Sequence, residues 1–287
     1  MYEILFCNKT GLSARDNRLT VELDRVYNRK PHPSPEVEDR IEQRWKDQVR
    51  EKGESVLWNA TKFRLESARE TADGRLHLML GITDYREYQG TNLLTTGPLL
   101  VFQHEWHLSN AFGNCCVVRT CDGKVPFVVR SRRVGEGEGF AVLPGGHAEP
   151  SRLGIERMES DLSSISPKQV IAELFTSTVE EVVEEVGISK DYLHIDGMKM
   201  LGIVRRTADL KAQMVCVIDC ELSSVDVNRL TTQLDPECQK LLFADFADLE
   251  SISDTGKLTG VKLMPEHVGA VVLYLKSQES VHECKRT

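Results

Sequence analysis

The chain has 287 residues, 40% hydrophobic and 28% charged, a globular composition too long for one ordinary core. Thirty-six Lys and Arg against 44 Asp and Glu give a formal charge of −8, which argues against a nucleic-acid surface, because phosphate backbones are gripped mainly by cations. No run approaches the roughly 18 apolar residues of a membrane span, the opening "MYEILFCNKTGLSARDN" carries no export signal, and 8 scattered cysteines without a CxxC pair fit a reducing cytoplasm.

In chain order, "YEILFC" and "RLTVELD" read as strands. "HPSPEVEDRIEQRWKDQVREKG" reads as a helix capped by Ser34, opened by Pro35 and stopped by Gly53. "KFRLESAR" and "RLHLMLGI" alternate around "TADG", a β-hairpin pattern. These pieces define an N-terminal α/β module, residues 1–112, ending after the Gly-, Thr- and Asn-rich "DYREYQGTNLLTTGPLL". A second unit, residues 113–287, opens with an expected hairpin of "NCCVVRT", turn "CDGK" and "VPFVVRSR".

"GFAVLPGGHAEP" is a short strand running into a glycine turn, and the polar stretch 151–166 reads as a surface insertion. A helix follows from Ser166 and Pro167 to Gly187. Strands are expected at "MKMLGIVRR", "AQMVCVIDCEL" and "KLLFADF", and helices at "SVDVNRLTTQL" and "PEHVGAVVLYLKSQ". Cys216 and Cys220 fall on one of these strands and read as buried thiols, not as a metal pair.

Wound at about 100° per residue, the helix after Pro167 gathers Ile171, Leu174, Phe175, Thr178, Val182 and Val186 into one packing stripe. Glu181, Glu184 and Glu185 share one flank, while Glu180 points farther toward solvent. Like charges at these spacings repel, and the last turn of a helix disfavours carboxylates. Either the glutamates form a solvated face, or a hard divalent cation such as Mg²⁺ relieves both penalties. The "PGGHAEP" turn is open in the same way. Gly145 and Gly146 permit close backbone approach to a ligand or merely a tight turn, and His147 either contacts phosphate or shapes the loop.

Together, strand, "GGHAEP" turn, loop and glutamate helix resemble the Nudix hydrolase signature G-x5-E-x7-R-E-U-x-E-E-x-G-U, where U is aliphatic. Glu181 to Ile188 match its second half, and Glu180 stands where the family has arginine. The first half departs further. Counted from Gly146, the motif expects its later glutamate at position 161 but meets it at Glu181, an insertion of 20 residues, and the earlier glutamate position holds Arg152. The inserted loop, with "KFRLESA" and "LGITDYREYQGTN", resembles the branch of UDP-sugar diphosphatases.

That resemblance implies an α/β protein, a Nudix α/β/α sandwich with a mixed sheet, preceded by an N-terminal α/β substrate-recognition module. It implies Mg²⁺-dependent cleavage of UDP-glucose or UDP-galactose to UMP and sugar 1-phosphate, with Glu181 and Glu185 holding the metal. Glu184 assists and is the first candidate base; Glu237, in the loop "DPECQ", is the second. The alternatives are hydrolysis of another nucleoside diphosphate derivative, such as an ADP-sugar, or a non-catalytic nucleotide-binding module. With arginine absent at 180, the site is expected to lose a cation that steadies its glutamates.

For the diphosphate, Arg130 and Arg132 share one strand face while Arg133 points away; the competing reading is a solvated edge strand. Arg205 is a further candidate. Tyr85, Asn92 and Phe63 are candidates for the uracil, though Phe63, on an alternating strand, reads first as core. The expected partner is thus a small nucleotide sugar, with no nucleic acid and no membrane; the oligomeric state stays open, a monomer being the simplest expectation.

Overall fold

The computed structural model describes residues 1–53, 57–94, 97–131, 137–230 and 238–284. Its first half contains β1 (Tyr2–Leu12), β2 (Leu19–Leu23), α1 (Pro35–Lys52), β3 (Thr61–Glu70), β4 (Leu76–Asp84), α2 (Tyr85–Gly90) and α3 (Pro98–Phe102). Then come β5 (Gly113–Arg119), β6 (Val125–Arg130), β7 (Ala141–Val142), α4 (Pro167–Val186), β8 (Lys199–Arg206) and β9 (Ala212–Asp219). The chain closes with α5 (Ser224–Leu230), β10 (Cys238–Ala244), α6 (Phe246–Thr255), β11 (Lys257–Leu258), β12 (Val261–Lys262) and α7 (Pro265–Cys284).

The central sheet has the order β1-β8-β9-β5, antiparallel except for the parallel pair β5 and β9. Alternation along β5 decides what lies on each face. Cys116 and Val118 pack toward α4 with Val170, Leu174 and Val182. Cys115 and Val117 pack toward Leu249 of α6 and Val271 and Leu273 of α7. The result is the expected α/β/α sandwich around a mixed sheet. Cys115, Cys116, Cys216 and Cys220 are buried free thiols within it.

A second sheet, β2-β4-β3, carries the expected β3–β4 hairpin, and its Val21, Leu78, Leu80 and Ile82 join the same core as α4. Helix α4 is therefore packed against two sheets. A capping box between Ser166 and Gln169 opens it, and Gly187, at φ 77°, closes it in the left-handed region. Both ends fall where the sequence places them.

Two expectations change. β5 and β6 do not pair with each other: the "CDGK" turn forms, with Thr120 N–H donating to the Lys124 carbonyl at 2.9 Å, but β5 pairs with β9 and β6 with β10 and β7. Both strands are buried on both faces, and such strands take partners set by the whole sheet, not by the nearest turn. β1 lies before the expected boundary at residue 112 yet pairs with β8, so a cut there would break the central sheet.

The insertion 151–166 lies at the surface, as expected, but it is anchored to the body of the fold. Ile155 is fully buried and its carbonyl accepts the Thr61 hydroxyl at 2.8 Å, while Arg25 donates to the Ser160 carbonyl at 2.6 Å. Met158, Leu162 and Ile165, which pack against the core, keep an i, i+4, i+7 spacing, yet the segment folds as turns after the short 3-10 helix Pro150–Leu153, so periodicity misdescribes it. Among the described residues, no helix is long and apolar enough to cross a membrane.

His267, at the start of α7, is buried and accepts the Leu143 N–H on Nδ1 at 3.1 Å. Burial, reinforced by Lys211, Arg130 and Arg206, holds its pKa well below the ordinary 6.5. The unfolded chain protonates this histidine as pH falls through 6.5 while the folded chain does not, so its contribution is present above that pH and lost below it. Urea denaturation at about pH 7.5 and about pH 5.5 is expected to show lower stability in acid. His267→Asn, which retains an acceptor, should lose less over that interval; equal losses would contradict this account.

Candidate active site

The glycine turn is built onto the outer edge of β5. Cys116 N–H donates to the Pro144 carbonyl and Asn114 N–H to the Gly146 carbonyl, both at 2.9 Å. The Asn114 side chain accepts the Gly146 N–H at 3.1 Å and donates to the Ser177 hydroxyl of α4 at 3.1 Å. A Cβ at Gly145 would collide with the Asn114 carbonyl and the Cys115 Cα. Strand, turn and helix are thereby locked together.

Two further turn amides face the glutamates. Gly145 N–H donates to Glu185 Oε2 at 2.9 Å, and His147 N–H donates to the Glu181 carboxylate. At Gly146 that carboxylate occupies the space a Cβ would need, so only glycine allows the approach. Burial raises Glu181 to about 7, helped by the negative charges of Glu184 and Glu149, with Lys62 and the His147 N–H acting in opposition. Glu185 is buried at 8% exposure, whereas Glu184 faces solvent.

Several contributors escaped the sequence reading. Lys62 of β3, with its side chain 13% exposed, lies 4.0 Å from Glu149. Its signal was slight: the second face of β3 carries Lys62 and the buried Arg64 where a purely structural strand would have apolar residues. Glu173 is buried on α4, accepts the Glu149 N–H at 3.3 Å, and is shifted upward by that burial. Arg152 forms an ion pair with Glu180. The cation expected to be missing beside the glutamates is therefore present, supplied from position 152.

The other candidates are scattered. Arg130 ends β6, and its charge, with those of Lys211 and Lys62, adds to burial in holding His147 well below its usual pKa. His147 is thus neutral. Its ring packs edge-on to Tyr88 at 5.7 Å, and its Nε2 is buried with no hydrogen-bond partner among the described residues. Tyr85 opens α2, accepts the Gln89 amide at 2.7 Å and lies edge-on to Trp45.

Asn92 is a correction to the uracil reading. It is fully buried, its amide donating to Asn110 Oδ1 and the Asp209 carbonyl and accepting the Asn110 N–H, so it braces a loop. Phe63 is core. The Arg205 guanidinium is engaged by Glu3 and by Glu105 at 2.8 Å. Arg132, Arg133 and Glu237 lie outside the described residues.

No group of three His, Cys, Asp or Glu side chains forms a ready-made metal cage among the described residues. The glutamates nevertheless suit a hard cation. Mg²⁺ keeps several waters and needs only one or two protein carboxylates, the donors are oxygens alone, and the elevated pKa of Glu181 marks a crowded charge that a cation would relieve.

No family model matches the chain. Over its whole length it is 31% identical to Nudix hydrolase 9 of Arabidopsis thaliana, spanning 94% of that protein. It is 30% identical to uridine diphosphate glucose pyrophosphatase NUDT22 of Homo sapiens, across 96% of this chain and 93% of the relative. A MutT protein from Methanosarcina mazei Go1 aligns with 59% of this chain and 94% of its own at 18% identity and a TM-score of 0.35. The chain belongs to the Nudix hydrolase family.

Since folded Glu181 titrates near 7 and the unfolded residue near 4.5, ionising it costs the metal-free fold stability as pH rises between those values. Glu181→Gln should therefore stabilise metal-free protein at about pH 8 and leave it nearly unchanged at about pH 4. If Glu181 holds a divalent cation, the same substitution should destabilise in saturating Mg²⁺, because it removes a ligand. Thermal melts with and without Mg²⁺ check this; a substitution effect independent of both pH and Mg²⁺ would refute it.

Proposed function

We propose that this protein hydrolyses the pyrophosphate bond of UDP-sugars, UDP-glucose and UDP-galactose among them, to UMP and sugar 1-phosphate with Mg²⁺. The observation that carries the chemistry is the pair Glu181 and Glu185, each carboxylate accepting an N–H of the glycine turn. The choice of UDP-sugar is supported by near full-length similarity to relatives named uridine diphosphate glucose pyrophosphatase.

Pyrophosphate resists attack because its own negative charge repels a nucleophile. Bound Mg²⁺ supplies charge neutralisation and an acidified water. Glu181 and Glu185 would hold the metal. Glu184, exposed one turn after Glu181 and adjacent to Glu185, would take the proton of the attacking water. Arg130 and Arg132 oppose the diphosphate charge, and neutral His147 presents its buried Nε2 to a phosphate oxygen. Gly145 and Gly146 let the backbone approach, and Tyr85 is assigned to the uracil. Arg205 is left with its carboxylate partners. Residues 1–112, apart from β1, form the substrate-recognition side, and the protein acts in the cytoplasm.

The test is incubation of purified protein with UDP-glucose, ADP-ribose and GDP-mannose, each with and without Mg²⁺. UDP-glucose should be cleaved only with the metal, and Glu185→Ala should lower the rate about 100-fold or more. Cleavage of another nucleotide with UDP-glucose intact would overturn the uracil assignment. Turnover of none would leave a binding module.

A further inference from the structure

The signature completed by Glu181 to Ile188 calls for glutamate at position 152 and arginine at position 180, and this chain carries the two exchanged. In this fold they meet, since the Arg152 guanidinium pairs with the Glu180 carboxylate. We propose that Arg152 and Glu180 are positioning residues: a polarity-reversed pair, at the centre of an alternating ion chain, that holds the glycine turn and the glutamate helix in register.

The chain runs Lys62, Glu149, Arg152, Glu180, Lys190. Its separations are 4.0 Å between Lys62 and Glu149, 3.6 Å between Glu149 and Arg152, and 3.4 Å between Glu180 and Lys190. These charges sit on β3, on the segment after the glycine turn, on the short 3-10 turn Pro150–Leu153, on α4 and just beyond its end. Elements far apart in sequence are thus joined by one line of opposite charges.

The neighbours favour this polarity. Glu149 flanks Arg152 and Lys190 flanks Glu180, so the usual order would set glutamate against Glu149 and arginine against Lys190. Reversal leaves the pair's net charge at zero, so the glutamate cluster gains no extra charge from the exchange. It also answers a geometric need. The insertion separates Arg152 from Glu180 in sequence, and the ion pair brings its first turn back to the helix one residue before Glu181. An exposed ion pair that merely coexists with the site would be worth little; here Arg152 is exposed, but its partner Glu180 is half-buried and adjoins a proposed metal ligand.

This inference rests on the reading that Glu181 and Glu185 bind the metal. Arg152→Glu, Glu180→Arg and the double exchange are made in the full chain, and Mn²⁺ affinity, kcat and KM for UDP-glucose are measured alongside thermal melts. Each single variant should lose about tenfold in Mn²⁺ affinity and kcat with KM within about twofold, and the exchange should recover about fivefold over the worse single. Recovery stays incomplete because Glu149 and Lys190 then face like charges.

Should a charge reversal unfold the protein, Arg152→Met, Glu180→Gln and their combination replace it in the same cycle, where losses that fail to add carry the same meaning. Losses that simply add, or single variants that bind Mn²⁺ as the wild type does, would overturn the proposal. Coupling in Mn²⁺ affinity with no cleavage of UDP-glucose by the wild type would sink the functional reading and leave this pair standing. Cleavage by the wild type with additive losses would do the reverse.

Discussion

The structure depends on one contact: the carboxylates of α4 lie against the backbone of a glycine turn. Two turn N–H groups face Glu185 and Glu181, and a side chain at Gly146 would displace one of those carboxylates. Such an approach needs both partners fixed. The turn is fixed because its backbone extends the outer edge of β5, and α4 is fixed because its stripe is buried between the central sheet and β2-β4-β3. Hydrogen bonds from N–H to a carboxylate partly offset the repulsion that burial and like charge impose on the cluster.

An overall charge of −8 conflicts with the proposed anionic diphosphate substrate only while charge is averaged over the chain. Locally, Lys62, Lys211 and Arg130 act on His147 from β3, the β8–β9 connection and the end of β6. Local cations act strongly where water is scarce, whereas the remote surface charges are screened within about 10 Å at ordinary ionic strength. The N-terminal module contributes Lys62, so its sheet does more than pack against α4.

What the sequence made legible follows from the range of each interaction. The bounds of α4 and the β3–β4 hairpin are set by residues close in sequence, by caps, glycines and alternation, and these were readable. The glutamates were found because helical spacing is local. The pairing of β5 with β9, the burial of Ile155 and the ion chain through Lys62 join residues far apart in sequence, and no local pattern announces them. Arg152 and Glu180 looked like two separate defects in a motif; only their contact in space makes them one exchange. Asn92 erred in the other direction, a polar residue read as ligand-facing whose amide is used up inside the fold.

The most direct test of the central contact leaves every carboxylate in place. Gly146→Ala adds one methyl group where the Glu181 carboxylate now lies. Mn²⁺ titration of this variant, compared with the wild type and with Glu185→Ala, should show affinity falling about tenfold or more, toward that of the Glu185→Ala variant. Wild-type affinity in folded Gly146→Ala would contradict the account, because the proposed metal site would then not depend on the glycine turn.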